Sequence, residues 1–153
     1  MADTDELVAI EVHGWRESMQ ILAALPSEVR HAVFGDLEAV GREATAEAAG
    51  RVHSRTGATA AGYRVATTSR GVSLRNSVVG ARVLEYAGKL HPEGRVPRGR
   101  ALIRTLNSQY GPIVGGKGRL LWRSVLDRKE RIEAAAQSAV EAIERELSAR
   151  GLA

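Results

Sequence analysis

Two long amphipathic stretches constrain the fold of this chain more than any other feature. Over residues 27–53, apolar side chains recur at steps of three and four, which is the spacing of one face of an α-helix about 40 Å long. A second such stretch covers residues 120–150 and ends before Gly151. The two stretches predict a core between paired helices. The first apolar stripe consists of Val29, Val33, Leu37, Val40, Ala44, Ala48 and Val52, and the second of Val125, Ile132, Ala136, Ala139, Ile143 and Leu147.

Shorter segments with a period of two predict strands. Residues 7–13 alternate apolar and polar side chains, as a half-buried strand does. Residues 63–68 and 72–76 alternate around a short turn that contains Gly71, which predicts a β-hairpin. The apolar face of the first segment would consist of Val8, Ile10 and Val12.

The remaining segments complete an α+β fold. Residues 15–24 predict a short helix, and residues 78–86 fit a helix slightly better than a third strand. Residues 89–119 hold six glycines and three prolines and predict an extended loop, with a short ordered element around Leu102–Ile103 and Leu106. We therefore expect one domain over residues 1–153, with the long glycine- and arginine-rich loop between the two long helical stretches.

The charges are segregated along the chain. Residues 51–119 carry thirteen Lys/Arg and two acidic residues, whereas residues 1–50 carry three basic and ten acidic residues, and residues 120–153 carry six of each. The net charge of +4 therefore hides an acidic and a basic region. This pattern suits contact with further copies of the chain, or with nucleic acid, better than contact with a small apolar substrate.

Motifs for catalysis, metals and cofactors are weak in this sequence. There is no cysteine, and no two of the four histidines have a helix-compatible metal-ligand spacing. Residues 111–118 have the G-x4-G-K spacing of a phosphate loop, but Gly118 stands where Ser or Thr should hold magnesium, so a flexible glycine loop is the better interpretation. We expect no enzyme, no cofactor and no metal. A signal peptide and a membrane-spanning run are also not evident, which predicts a protein made in the cytosol or built into a particle assembled there.

Four arginines stand close together in the central segment, at positions Arg95, Arg98, Arg100 and Arg104. Arginine pairs well with phosphate, so nucleic-acid binding is one interpretation. Base-stacking aromatic residues are nearly missing nearby, and no helix-turn-helix or zinc-finger pattern is present. The favoured interpretation is that these arginines contact the acidic N-terminal block of a neighbouring subunit.

The order of these elements, with three short motifs, resembles a known family. The motifs are Leu25-Pro26 before the long helix, Arg55-Thr56-Gly57 after it, and a segment Gly80-Ala81-x-x-Leu84-Glu85-Tyr86 after the hairpin. This pattern is similar to that of the tail-completion, or head–tail joining (neck), proteins of long-tailed bacteriophages. Gly80 stands where that family usually has tyrosine, and the loop is longer and more basic than its typical loop.

The resemblance implies an α+β fold in which a small antiparallel sheet packs with two long helices, one in the N-terminal half and one C-terminal. It also implies a non-enzymatic structural protein of the virion, assembled in the host cytoplasm. It implies a homo-oligomeric ring, six- or twelve-fold, that joins the head connector or head-closure protein to the tail-terminator or tail-tube protein and completes the DNA channel. Non-specific contact with passing DNA fits this role. A membrane is not expected as a partner. The alternative function is that of a basic accessory nucleic-acid-binding protein of the host cytosol. The residues expected at subunit or partner interfaces are Arg55, Thr56, Glu85, Tyr86, Arg95, Arg98, Arg100 and Arg104.

Overall fold

The computed structural model describes residues 15–53, 55–68 and 71–151. Within these ranges the chain forms eight helices and one two-stranded antiparallel sheet, which confirms the α+β class. The predicted strand 7–13 lies outside the described residues. The elements are α1 Trp15–Ala23, α2 Ser27–Val33, α3 Gly35–Gly50, α4 Ala58–Ala61, β1 Tyr63–Thr68, β2 Gly71–Asn76, α5 Val79–Tyr86, α6 Pro97–Tyr110, α7 Leu121–Leu126 and α8 Lys129–Ala149.

The first long stretch is two helices rather than one. The helix is interrupted at Phe34, whose φ of −89° and ψ of 4° lie outside the helical range, and it restarts at Gly35 as α3. Phe34 is fully buried although it lies off the apolar stripe that contains Val33. A straight helix would point these adjacent side chains about 100° apart. The break allows both to join one core.

The C-terminal stretch is also interrupted, at Asp127 and Arg128, and forms the short α7 followed by the long α8. Arg128 leaves helical geometry, with a φ of −115° and a ψ of 14°. Its guanidinium forms ion pairs with Glu43 and Glu47 of α3. The interruption therefore lies where α3 contacts both C-terminal helices.

The predicted hairpin is present, with its second strand beginning at Gly71, and it packs on α3. Tyr63 pairs with Asn76 at one end, and Thr68 pairs with Gly71 at the turn. A methyl group added at Gly41 of α3 would come within 2.9 Å of the Leu74 side chain, so this glycine permits close packing of α3 on the hairpin.

Two apolar clusters form the core. One joins α1, the α2–α3 junction and α8 through Leu22, Phe34 and Ile143. The other joins α3, β1 and α5–α7 through residues that include Ala48, Tyr63, Leu84, Leu106, Tyr110 and Leu120. None of the helices in the described ranges has the length and apolar character that a membrane crossing requires.

The prediction of one extended loop over residues 89–119 was wrong in its middle. That region contains the 14-residue helix α6, which buries Ile103, Leu106 and Tyr110 on one side. Pro97 is the first helical residue, a position that tolerates proline because its N–H would have no intrahelical partner. Arg98, Arg100 and Arg104 therefore lie on a helix rather than in a loop, and irregular segments remain on either side of it.

Candidate functional site

Helix α5 has one buried face and one exposed face. Ala81, Leu84 and Glu85 are buried, whereas Val79, at 77% exposure, and Tyr86, at 48%, face outward. Val83 lies between them and is also exposed. The spacing of four and three residues places the exposed apolar side chains on one helical face. This face is the start of a larger apolar surface.

Glu85 lies in the interior of the protomer, where all its contacts are internal. Its Oε1 accepts a hydrogen bond of 2.7 Å from the Tyr63 hydroxyl and one of 3.0 Å from the Leu121 N–H. Its Oε2 accepts hydrogen bonds from the N–H groups of Arg119 and Leu120, at 2.8 and 2.9 Å. The carboxylate thus caps the start of α7, where a negative charge is favourable. In this conformation the predicted interface residue Glu85 is not available to a partner.

Tyr63 is the neutral donor in this network. Burial raises the pKa of the Tyr63 hydroxyl well above its usual range, and the hydrogen bond and negative charge of Glu85 raise it further. The tyrosine is therefore protonated at neutral pH and donates to the carboxylate.

Arg119 is the positive counterpart of Glu85 and is only 1% exposed. It donates to the carbonyls of Leu84 and Ala87 at the end of α5, at 3.0 and 2.6 Å, and at 2.9 Å to Asn107 Oδ1 of α6. Burial lowers the pKa of Arg119, and the charge of Glu85 acts in the opposite direction. Arg119 thereby ties α5, α6 and the start of α7 together.

The segment with phosphate-loop spacing forms an ordered turn. Val114 and Gly118 form a short antiparallel bridge, and Gly115 and Gly116 between them have positive φ. The three N–H groups that follow Gly118 all donate to Glu85 rather than facing an open cavity. A carboxylate of the chain itself therefore binds the N–H groups that follow this segment. Within the described ranges, no cluster of three potential metal ligands occurs either.

An apolar hollow connects α5 with α6. It has a volume of about 470 Å³ and is bordered by Tyr86, Leu90, Arg95 and Leu102. Leu90 is 83% exposed, and Val96 and Leu102 are exposed as well. We call the exposed sides of α5 and α6, with the segment 87–96 between them, the α5–α6 surface.

The basic residues of the α5–α6 surface are uncompensated. Lys89 Nζ lies 5.8 Å from the centroid of the Tyr86 ring. The guanidinium groups of this surface have no hydrogen bond or ion pair in the part of the chain that the structure describes. Arg100 and Arg104 lie one turn apart on α6, while Arg98 is on the flank of Leu102. The arginines without partners are Arg82, Arg95, Arg98, Arg100 and Arg104.

Arg55 and Thr56 form the turn before α4. The Thr56 hydroxyl accepts a hydrogen bond of 3.3 Å from the Ala58 N–H, and Gly57 has a φ of 70°. Arg55 is exposed. Helix α4 packs against the start of α5, where Gly80 comes close to the Thr59 hydroxyl. Local capping thus accounts for the Thr-Gly pair, and Arg55 and Thr56 are both exposed.

The acidic residues of α3 are largely neutralised within the protomer. Glu43 forms an ion pair with Arg131, and Glu47 with Arg51 and Arg128. Glu28 and Asp36 are exposed and have no partner among the described residues. Among the described residues of α2 and α3, only part of the acidic side chains is therefore open to a neighbour.

Sequence reasoning missed the buried role of Arg119 and the apolar part of the α5–α6 surface. Arg119 belongs to a basic segment whose other arginines are mostly exposed, so its burial was not predicted. Because residues 97–110 were predicted as part of a loop, the helical face that carries Leu102 was not predicted either. The missed signal was the spacing of Ile103, Leu106 and Tyr110, which marks one buried helical face.

No family model, curated protein or solved structure matches this chain.

Proposed function

We propose that this chain is a structural subunit of a phage neck. Copies assemble into a ring between the head connector and the tail tube and complete the DNA channel. The proposal draws on the order of elements, on Arg55-Thr56-Gly57, and on the segment that ends in Glu85-Tyr86. It assigns the α5–α6 surface to the contact between neighbouring subunits.

The observation that carries the proposal is the composition of the α5–α6 surface. Tyr86, Leu90 and Leu102 border an apolar hollow, Arg95 lines it, and the arginines of α6 nearby have no side-chain partner among the described residues. An apolar centre with a charged rim is typical of protein interfaces, in which aromatic residues and arginine are enriched. Exposed apolar area does not stabilise a monomer. The same area stabilises an assembly when a neighbouring subunit covers it.

The complementary patch lies elsewhere on the chain. Glu28 at the start of α2 and Asp36 at the start of α3 are the exposed acidic residues of this region that lack partners within the described ranges. A contact between two different patches of the same protein is heterologous and closes into a ring when the rotation permits. We therefore assign Glu28 and Asp36 to the side that meets the arginines of the next subunit.

A charge-swap experiment tests this contact. The purified protein, alone and mixed with tail tubes of the parent phage, is analysed by native mass spectrometry and negative-stain microscopy. Arg100→Glu with Arg104→Glu is expected to abolish the ring, and addition of Glu28→Arg with Asp36→Arg is expected to restore it. Arg145→Glu on α8 is the matched control and leaves the ring intact. Rings that survive the double arginine reversal contradict the assigned contact, and the absence of rings under all conditions contradicts the proposed function.

The unpaired arginines of α6 also favour a second candidate, a basic protein that binds nucleic acid. Its affinity for DNA would fall with log salt in proportion to the phosphates contacted. Replacement of Arg98, Arg100 and Arg104 by glutamine would then reduce this slope by about 0.9 for each lost phosphate contact. The neck function instead predicts weak DNA affinity without sequence preference.

A further inference from the structure

An apolar groove lies between the hairpin, α5 and α7, and it shares Tyr86 with the hollow of the α5–α6 surface. Its volume is about 380 Å³. Val72 and Leu74 of β2 line it, together with Trp122 and Val125 of α7. A concave site of this size with a mostly apolar lining and few polar groups is typical of a binding site for a small ligand.

The volume of the groove limits the size of a ligand. Because a water molecule takes about 30 Å³ of the liquid, the groove holds about a dozen water-sized groups. An aliphatic carboxylate with about eight to ten carbon atoms has this number of non-hydrogen atoms. The paired acyl chains of a membrane lipid exceed it.

The charges of the lining select the head group of such a ligand. Among the described residues, two charged side chains line the groove, Glu85 and Lys117. Both carboxylate oxygens of Glu85 are already engaged, since they accept hydrogen bonds from the Tyr63 hydroxyl and from three backbone N–H groups. The Lys117 ammonium forms no ion pair with any residue that the structure describes. The charge that a ligand can pair with is therefore positive.

The turn at residues 114–118 holds Lys117 where the groove opens. The Lys117 N–H donates to the Val114 carbonyl at 3.0 Å, and Lys117 Nζ lies 5.8 Å from the centroid of the Trp122 ring. Within the lining, Tyr86 and Lys117 are the exposed residues, so they mark the side that solvent reaches. A head group at this side would meet the ammonium while the rest of the ligand contacts apolar side chains.

We propose that this groove binds a small anionic amphiphile. The carboxylate head group pairs with Lys117, and an aliphatic chain of about eight to ten carbon atoms packs beside Val72, Leu74 and Trp122. The segment with phosphate-loop spacing thereby has a role, because its glycines form the turn and its lysine recognises the head group. The site is complete in one chain and does not depend on the proposed ring.

Calorimetric titration of the purified full-length protein tests the site. Octanoate is the ligand, and octanamide is its neutral counterpart with the same number of non-hydrogen atoms. We expect one octanoate per chain, with an affinity about two- to fivefold higher than that of octanamide, which is the range of an exposed ion pair. From hexanoate to octanoate, each added methylene should raise the affinity about fourfold. Equal affinities for octanoate and octanamide, or no binding of octanoate, would overturn the proposal.

Lys117→Gln removes the charge at the opening. This variant should bind octanoate about two- to fivefold more weakly and octanamide as the wild type does. Lys129→Gln on α8 is the matched control, because Lys129 does not line the groove, and it should bind both ligands normally. The same loss of affinity for both ligands in Lys117→Gln would contradict recognition of the head group by the ammonium.

The indole N–H signal of Trp122 in a proton–nitrogen NMR spectrum reports where octanoate binds. The signal is assigned by its loss in Trp122→Phe, and octanoate should shift it. An unchanged signal at saturating octanoate would place the ligand elsewhere and contradict the proposal. Light scattering during the same titration distinguishes the other occupant: dissociation of an oligomer by octanoate would assign the groove to a second copy of the chain and overturn the proposal as well.

Discussion

At the scale of single residues, two buried charges decide how the central part of the chain is held together. Glu85 belongs to α5 but caps α7, and Arg119 precedes α7 but binds the carbonyls that end α5. Each charge thus satisfies backbone groups of the other helix. Removing one partner of a buried pair costs more than the pair contributes, because the other charge remains buried. We therefore expect these positions to be much more sensitive than the exposed arginines.

Glu85→Gln tests the capping network. Four donors converge on the two carboxylate oxygens, and an amide would turn its NH2 group toward some of them. We expect the free energy of unfolding in urea to fall by about 3–5 kcal/mol. Glu144→Gln on the exposed side of α8 is the control and should change it by less than about 0.5 kcal/mol. A loss below 1 kcal/mol (roughly the scale of one ordinary hydrogen bond) at Glu85 would argue against the network.

Tyr63→Phe tests the raised pKa of the buried hydroxyl. The folded-state pKa lies above the unfolded value near 10.0, so the stabilisation is fully present below pH 10 and is lost as the pH rises further. Above pH 10, ionisation of this hydroxyl should lower the free energy of unfolding of the wild type by up to about 1.4 kcal/mol per pH unit. The variant lacks the hydroxyl and should not show this decrease. Between pH 7 and 9 the two proteins should differ by a constant amount, about 1.5–3 kcal/mol. Parallel alkaline profiles would contradict the assignment.

At the scale of elements, local periodicity predicted the pieces but not their interruptions. The hairpin, α1 and α5 follow from side-chain alternation or helical spacing within one short segment. The break at Phe34 depends on burial of that ring against α8, which is a contact distant in sequence. Helix α6 was concealed because Pro97 and Gly99 suggest a loop, although both stand in its first turn. In the candidate site, exposure of Tyr86 and the arginines was predictable from type and spacing, whereas the burial of Glu85 depends on the turn at residues 114–118.

Gly118→Ala tests how tightly that turn is held on α5. A methyl group at Gly118 would lie 2.8 Å from Glu85 Oε2, which two backbone N–H groups already fix in place. The resulting overpacking should lower the free energy of unfolding by about 1–3 kcal/mol. Gly50→Ala at the end of α3 meets nothing within 4 Å and should raise it by about 0.5 kcal/mol. Equal changes in the free energy of unfolding at the two positions would show that the turn accommodates the methyl group without a cost.

At the scale of the whole molecule, ion pairs join α3 to the C-terminal helices, whereas the arginine side chains of the α5–α6 surface form no ion pair among the described residues. Arg128 and Arg131 are engaged by Glu43 and Glu47, so these charges serve the fold. The arginines of α6 have no such partners within the described residues. The proposed ring uses this division, since an apolar centre supplies affinity and the charged rim supplies orientation.

Val83→Asp tests the apolar part of the surface. Val83 is exposed on α5, so the substitution should leave the free energy of unfolding within about 0.5 kcal/mol of the wild type. It should nevertheless prevent ring assembly, because a charge would be buried without a partner at the contact. Ile21→Asp on α1 has a similar exposure, 38% against 44%, and is the control that retains assembly. Size-exclusion chromatography with light scattering measures both, and loss of assembly in the control alone would contradict the assigned surface.

The most direct measurement of the central claim is a cryo-EM reconstruction of the purified protein mixed with tail tubes, in search of the proposed oligomer. The account predicts a closed ring in which Tyr86, Leu90 and Leu102 of each subunit are covered by the next one, with Arg100 and Arg104 near its Glu28 and Asp36. A ring in which the α5–α6 surface remains exposed to solvent would contradict it.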